Sequence, residues 1–283
     1  MMLRFHTYDV FTDRAFAGNP LAIVEGADGL SDTQMQTIAR EFNLSETIFV
    51  QTPDDPAHTA KVRIFFPTAE IPFAGHPTIG CALHLAKTHQ LTQVTLEEAA
   101  GLVPVVIRDG AAQFTAPVIP CAYDAQIDLS LLANALDLNG DDLGPHTAGV
   151  HEGGPRFLYV PVKTDIALAR ARPIEPQWSA LMAACDVDSA YLYTPAFNAR
   201  MFSPTAGIPE DPATGSASAI LASQLLGHSA LPDGTTRLSL TQGVQMGRPS
   251  RISFEADVAN GALTAVRIGG TAVPISSGTI AVP

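Results

Sequence analysis

The sequence predicts an α+β protein built from two copies of one structural unit, and three observations carry that reading. A chain of 283 residues is long enough for two domains of ordinary size. With 46% apolar and 16% charged residues it has the composition of a compact protein with a real interior. The third observation is an internal repeat. Arg63-Ile-Phe-Phe-Pro-Thr-Ala69 recurs as Arg200-Met-Phe-Ser-Pro-Thr-Ala206, and each copy runs into the pattern Glu-x-Pro-x-x-Gly-x-x-[Ser/Thr]. That pattern is Glu70 to Thr78 in the first copy and Glu210 to Ser218 in the second, where Gly207-Ile-Pro209 is inserted ahead of it.

The elements follow in the same order in both halves. In the first, a Ser31-x-x-Gln34 capping box opens an amphipathic helix that buries Met35, Ile38 and Phe42 and leads to a strand from Glu46 to Val50. After the repeat comes an apolar stretch of helical length, Ile79 to His89, then Leu91, a turn and the β-like run Gln93-Val-Thr-Leu96. Gly101 and another alternating strand follow. The second half repeats this with a helix over about Pro176 to Cys185, a strand Ser189 to Tyr193, an apolar helix Ala217 to His228, Leu231, the strand Arg237-Leu-Ser-Leu240 and Gly243. Superposing the helix-to-strand junctions makes Ser189 the counterpart of Glu46. The Pro/Asp-rich stretch from 117 to 128 sustains neither period and marks the joint, which gives halves of 1–118 and 119–271. A cleft between related halves would bring the matching loops face to face, a favoured place for a ligand.

Charge narrows the partners. Sixteen Lys and Arg against 28 Asp and Glu give a formal charge of −12, which repels phosphate backbones and anionic lipid. Nucleic acid and membrane are therefore poor partners, and a small substrate is expected. The N-terminus has neither a basic start nor an apolar targeting segment, and no run of 18 apolar residues occurs, so a cytoplasmic protein is expected. Cys81, Cys121 and Cys185 show no C-x-x-C spacing and read as free thiols behaving as small hydrophobes. The eight histidines have no metal-ligand spacing, and neither a dinucleotide nor a Walker loop is present, so no metal is expected. Gly18-Asn-Pro20 reads as a turn ending the first strand segment.

The chemistry concentrates in the repeat. In each copy a proline-glycine loop precedes a helix, so the backbone N–H groups around Gly75-His76 and Gly215-Ser216 should form an anion site at a helix start. Two such starts facing one another would clamp one anionic substrate. The copies differ at His76 against Ser216 and at Ile71 against Asp211, which could position and protonate a substrate asymmetrically. His76 reads equally as a capping histidine and as a ligand contact, and Asp211 equally as a turn or N-cap residue. Glu46 stands at the mouth of an apolar strand, where partial desolvation would bring a carboxylate toward a working range for proton transfer. A surface glutamate at a strand edge is the alternative, and the surrounding motifs favour the first.

These motifs together resemble the PhzF family, the phenazine-biosynthesis-type isomerases of diaminopimelate-epimerase-like fold. The matching stretches are Asp9-Val-Phe-Thr with Ala17-Gly-Asn-Pro20, Leu44-Ser-Glu-Thr47, Glu70 to Gly80, Arg200 to Ala217 with its Glu-Asp-Pro-Ala-Thr-Gly-Ser-Ala, and Gln242-Gly-x-x-Met-Gly-Arg-Pro-Ser250. They span nearly the whole chain. The resemblance implies two α+β domains, each a barrel-like sheet around a central helix, with residues 272–283 returning to complete the first. It implies an isomerase that uses no cofactor, with Glu46 as proton shuttle. His76, Asp211 and Ser216 would hold substrate and assist transfer, and Gly75 and Gly215 would supply anion-binding donors. It also implies a homodimer.

Two other readings use the same features. An epimerase of this architecture works through two opposed thiols, but Ala74 and Thr214 stand at those positions and the cysteines lie elsewhere. A binding protein that keeps the clamp without turnover is the other, and the retained acid/base groups argue against it.

Overall fold

A computed structural model describes residues 1–283, the side chain of Ala206 excepted. The first half runs β1 (Met2–Val10), β2 (Asn19–Glu25), α1 (Asp32–Phe42), β3 (Glu46–Gln51), β4 (Ala60–Phe65), β5 (Glu70–Ile71), α2 (Gly75–His89), β6 (Gln93–Glu98), β7 (Gly101–Arg108) and β8 (Ala111–Thr115). Next come β9 (Cys121–Tyr123), α3 (Leu129–Ala135), β10 (Gly149–Glu152), β11 (Arg156–Pro161), α4 (Asp165–Arg170), α5 (Gln177–Cys185), β12 (Ala190–Tyr193), β13 (Asn198–Ser203) and β14 (Ile208–Asp211). The chain ends with α6 (Gly215–Gly227), β15 (Gly234–Gln242), β16 (Ser250–Ala259), β17 (Ala262–Gly270) and β18 (Ala272–Ala281).

Strand pairing repeats as the sequence does. In the first half β2 lies parallel to β3 across α1, β3 is antiparallel to β4, and β4 is antiparallel to β5 and parallel to β6 across α2. In the second, β11 lies parallel to β12 across α4 and α5, β12 is antiparallel to β13, and β13 is antiparallel to β14 and parallel to β15 across α6. Register agrees as well: Thr47 faces Phe65 and Ala190 faces Phe202, so Ser189 occupies the place of Glu46.

The chain divides into two compact units. One comprises Met1–Pro117, Arg248–Ile252 and Arg267–Pro283, and the other Val118–Gly247 and Ser253–Val266. The returning segment of the first is therefore longer than the 272–283 expected, and the short stretch 248–252 joins it. The reason lies in the pairing. Arg267–Gly270 runs along β8, and the next residues, as β18, run antiparallel along all of β1. With β1–β2, β6–β7 and β7–β8 also antiparallel, the sheet of this unit closes on itself as a barrel.

The inner helix of that barrel is α2, which packs against β1, β2, β3, β6, β7, β8 and β18. It is buried through its first three turns, including Ile79, Cys81, Ala82 and Leu85, as an all-round apolar helix must be. Gly80 permits the approach: a Cβ there would lie 2.5 Å from Leu21 Cδ2 and 2.8 Å from Val10 Cγ2. Outside the barrel, α1 starts at the Ser31–Gln34 capping box and buries Met35, Ile38 and Ala39, while Phe42 is half-buried. In the other unit α6 is the buried helix, against β9, β10 and β11, and Trp178 and Leu181 of α5 fill a core with Leu192 and Phe202.

Two boundaries depart from expectation. Both inner helices begin earlier, at Gly75 and Gly215 in place of Ile79 and Ala217. Gly and Pro suggest a loop, yet a first-turn N–H has no intrahelical acceptor, so Pro77 loses nothing there. The 117–128 stretch also contains the short strand β9. Among the described residues no helix is long and apolar enough to cross a membrane.

Candidate active site

In the first unit the site begins with β3. Glu46 is the first residue of that strand, opposite Leu21 of β2, and is only 7% exposed. Facing it is the start of α2. Ala74, the extended N-cap, offers no side-chain acceptor, so the N–H groups of Gly75 and His76 are unbonded within the helix. The His76 ring is buried, with Nδ1 3.5 Å from Glu46 Oε2 and 3.2 Å from Asn19 Nδ2. Burial pushes its pKa down to about 3, against an opposing pull from the Pro20 carbonyl, so the imidazole is neutral at any ordinary pH. Nδ1 lies against the Asn19 amide, and Nε2 has no partner among the described residues. Glu46 thus has beside it a neutral imidazole with one ring nitrogen left for a ligand.

Asn19 is the member of this group that the sequence reading missed. Gly18-Asn-Pro20 does not end the first strand; it opens β2, and Asn19 is fully buried against His76. Gly18 has φ +67°, and a Cβ there would meet the Val10 carbonyl at 2.3 Å, so the turn demands glycine. Arg248 ties the turn down: its Nε donates to the Gly18 carbonyl at 2.8 Å and its Nη2 to Asp9 Oδ1 and the Ala17 carbonyl. Asp9 in turn accepts the Phe16 N–H at 2.6 Å. The signal was present, since Asp9, Ala17-Gly-Asn-Pro20 and Gly-Arg-Pro-Ser are motif stretches distant in sequence that this turn brings together.

The second unit carries the matching helix start. Asp211 ends β14, is 9% exposed and accepts a short hydrogen bond of 2.5 Å from the Thr214 hydroxyl. Thr214, not Asp211, is the N-cap of α6, and its side chain makes no cap hydrogen bond to the helix. Gly215 is buried and Ser216, at the position of His76, is half-buried. Gln242 braces this loop, its Nε2 donating to the Asp211 carbonyl at 2.7 Å and its Oε1 accepting the Thr214 N–H at 3.1 Å. The structure therefore groups Glu46, Gly75 and His76 within one unit and Asp211, Gly215 and Ser216 within the other.

Thiol chemistry has no support in either group. Ala74 and Thr214 are the two N-caps. Cys81 is buried inside α2, where burial drives its thiol pKa well above the ordinary range, and Cys121 and Cys185 lie on β9 and α5.

Comparison with known proteins agrees across nearly the full length. The sequence model of the PhzC-PhzF family, described as phenazine biosynthesis-like protein, matches residues 8–278. An uncharacterized isomerase of Mesorhizobium japonicum is 40% identical over 96% of this chain and 97% of its own. The trans-2,3-dihydro-3-hydroxyanthranilate isomerase of Pseudomonas aeruginosa is 35% identical over 98% of this chain and 99% of its own. Among solved structures, a PhzF-family phenazine biosynthesis protein of Bacillus anthracis superposes with a TM-score of 0.88 at 25% identity, covering 99% of each chain. A hydroxyproline epimerase of Agrobacterium vitis, 12% identical with a TM-score of 0.64 over 99% of this chain and 92% of its own, shares the fold alone. The repeated barrel, the buried Glu46 and His76 and these full-length matches lead to one statement: the chain belongs to the PhzC-PhzF family and is an isomerase.

Proposed function

We propose that the protein moves a proton between two carbons of a small cyclic carboxylate without a cofactor, Glu46 serving as both base and acid. The observation that carries this reading is the buried Glu46 carboxyl 3.5 Å from the neutral imidazole of His76 at an uncapped helix start. Glu46 removes a proton from a carbon flanked by unsaturation, and the C–H electron pair enters the adjoining π system. The same carboxylic acid then returns the proton at another carbon of that face. Nothing is consumed and no charge is left over. The developing negative charge is met by the N–H groups of Gly75 and His76 at the helix start, donors already in place before reaction. Asp211, Gly215 and Ser216 hold the substrate. We place the reaction in the cytosol.

Trans-2,3-dihydro-3-hydroxyanthranilate, the compound in the name of the Pseudomonas aeruginosa relative, is the first substrate to test. Incubated in deuterated water, wild type should put solvent deuterium on a ring carbon of the product. Glu46→Gln should fold and bind normally and lose turnover by roughly 10²–10⁴-fold, the range of general acid/base help. Full turnover in that variant would remove Glu46 from the mechanism. Binding of the carboxylate with no exchange in wild type would make the protein a binding module.

A further inference from the structure

We infer that His6, Glu25 and His84 form a binding site for one divalent transition-metal ion of the zinc type, separate from the Glu46–His76 site. They come from three elements of the first unit, β1, β2 and α2, which is why no spacing in the sequence betrays them. One ligand atom from each lies within 4.8 Å of the others. His84 Nε2 is 2.8 Å from Glu25 Oε1, and His6 Nε2 is 3.6 Å from the same oxygen. The His6 and His84 rings lie 4.5 Å apart between centroids. Two imidazoles and a carboxylate are the donors of a three-ligand zinc site with a further position for water, and imidazole disfavours Mg²⁺ or Ca²⁺.

The surroundings fit a ligand set better than an ordinary buried ion pair. Tyr8 Oη lies 3.1 Å from His84 Nδ1. A hydroxyl both donates and accepts, so it serves either tautomer. Without metal the Tyr8 O–H donates to Nδ1 while Nε2–H donates to Glu25. With metal on Nε2, the hydrogen sits on Nδ1 and Tyr8 accepts it, the outer-shell contact that orients metal-bound histidines. Arg4 engages the other oxygen of Glu25 at 3.2 Å, which leaves Oε1 to the site.

The fold itself does not require these residues. Aligning Gly75 with Gly215 places Gln224 at the position of His84, and there a neutral amide meets His151, with Gln224 Oε1 2.6 Å from His151 Nε2. An amide and one imidazole satisfy the inner helix of the second unit. The first unit has two imidazoles and a carboxylate at the matching level. An ion there would fasten α2 to the barrel wall, two turns along the helix from His76.

Chelator-treated protein should be titrated with Co²⁺ and with Zn²⁺. The expected result is one ion per chain, the visible ligand-field bands of four-coordinate Co²⁺, displacement of Co²⁺ by Zn²⁺, and a melting temperature raised by several degrees. His6→Gln, whose imidazole is partly exposed, and Glu25→Gln should each weaken binding at least tenfold, and Tyr8→Phe should weaken it less. The other close imidazole pair is His146 and His228, stacked 4.5 Å apart, so His146→Ala is the control and should bind as wild type does. Absence of a 1:1 complex overturns the inference. So does a complex that survives His6→Gln and Glu25→Gln but is lost in His146→Ala.

Discussion

Glu98 and Gln242 stand at the same place in the two halves, each ending the strand that follows the inner helix, with Lys61 facing Glu97 and Asn198 facing Thr241 in register. Gln242 can brace its loop from both sides because an amide donates and accepts. Glu98 does so from one side. Its Oε1 accepts the Thr78 hydroxyl at 2.7 Å, and its Oε2 has no partner among the described residues. Burial raises the Glu98 pKa to about 8, the Thr78 bond opposing, so at neutral pH it is mostly a neutral acid, close in shape to the amide opposite. Cys81, the other titratable group beside it, stays a thiol. Because the folded pKa lies above the unfolded value, the contribution to stability is complete in acid. It declines from about pH 4.5 upward and is lost as pH rises through about 8. Glu98→Gln should abolish that decline. Urea midpoints should nearly coincide in mild acid, and by about pH 8.5 the variant should be more stable by roughly 1–4 kcal/mol. Parallel profiles would show that Glu98 is not held as a neutral acid.

At the scale of elements, one repeated pair performs two tasks. The Arg and Glu that head the repeat form a two-pronged ion pair in each half, Arg63 with Glu70 and Arg200 with Glu210. Arg63 also reaches Asp32 at the first turn of α1 and remains partly exposed. Arg200 is 7% exposed, lies over the Phe202 ring, and donates to the carbonyls of Leu168, Ala169 and Ala171 at the end of α4. A cation at a helix C-terminus is favourable, and removing it strands the half-buried Glu210 and three carbonyls. Arg200→Ala should therefore cost about 3–5 kcal/mol in chemical denaturation, whereas Arg63→Ala should cost about 1 kcal/mol or less. Equal losses would mean that burial does not distinguish the pairs. The pairing of Arg with Glu is legible in the repeat. The three carbonyls are not, because they belong to a helix about thirty residues upstream that has no counterpart motif in the first half.

For the molecule as a whole, closure of the first barrel depends on its last residues. β18 is mostly exposed and contributes little to the core, yet it pairs with β1 from Met2 to Val10. Its loss would leave β1 with an open edge and free N–H and C=O groups, the condition a closed sheet avoids. A chain ending at Gly270 should lose amide-exchange protection along β1 and β2 and aggregate more readily. Protection equal to wild type at Tyr8 and Ile23 would show that closure is dispensable.

The sequence by itself determined the repeated α+β unit, the two inner helices, the capped outer helix and the family, because periodicity, capping and a motif written twice are local properties. Glu46 could be matched to Ser189 from the helix-to-strand junctions alone, and the strand registers agree. Only the tertiary structure decided that Asn19 lies against His76, that Arg248 holds the turn carrying it, and that His6, Glu25 and His84 meet. Each of these joins side chains from different strands and helices. Which faces of a closed sheet meet an inner helix depends on register and twist, and those are properties of the assembled barrel that no spacing along the chain encodes.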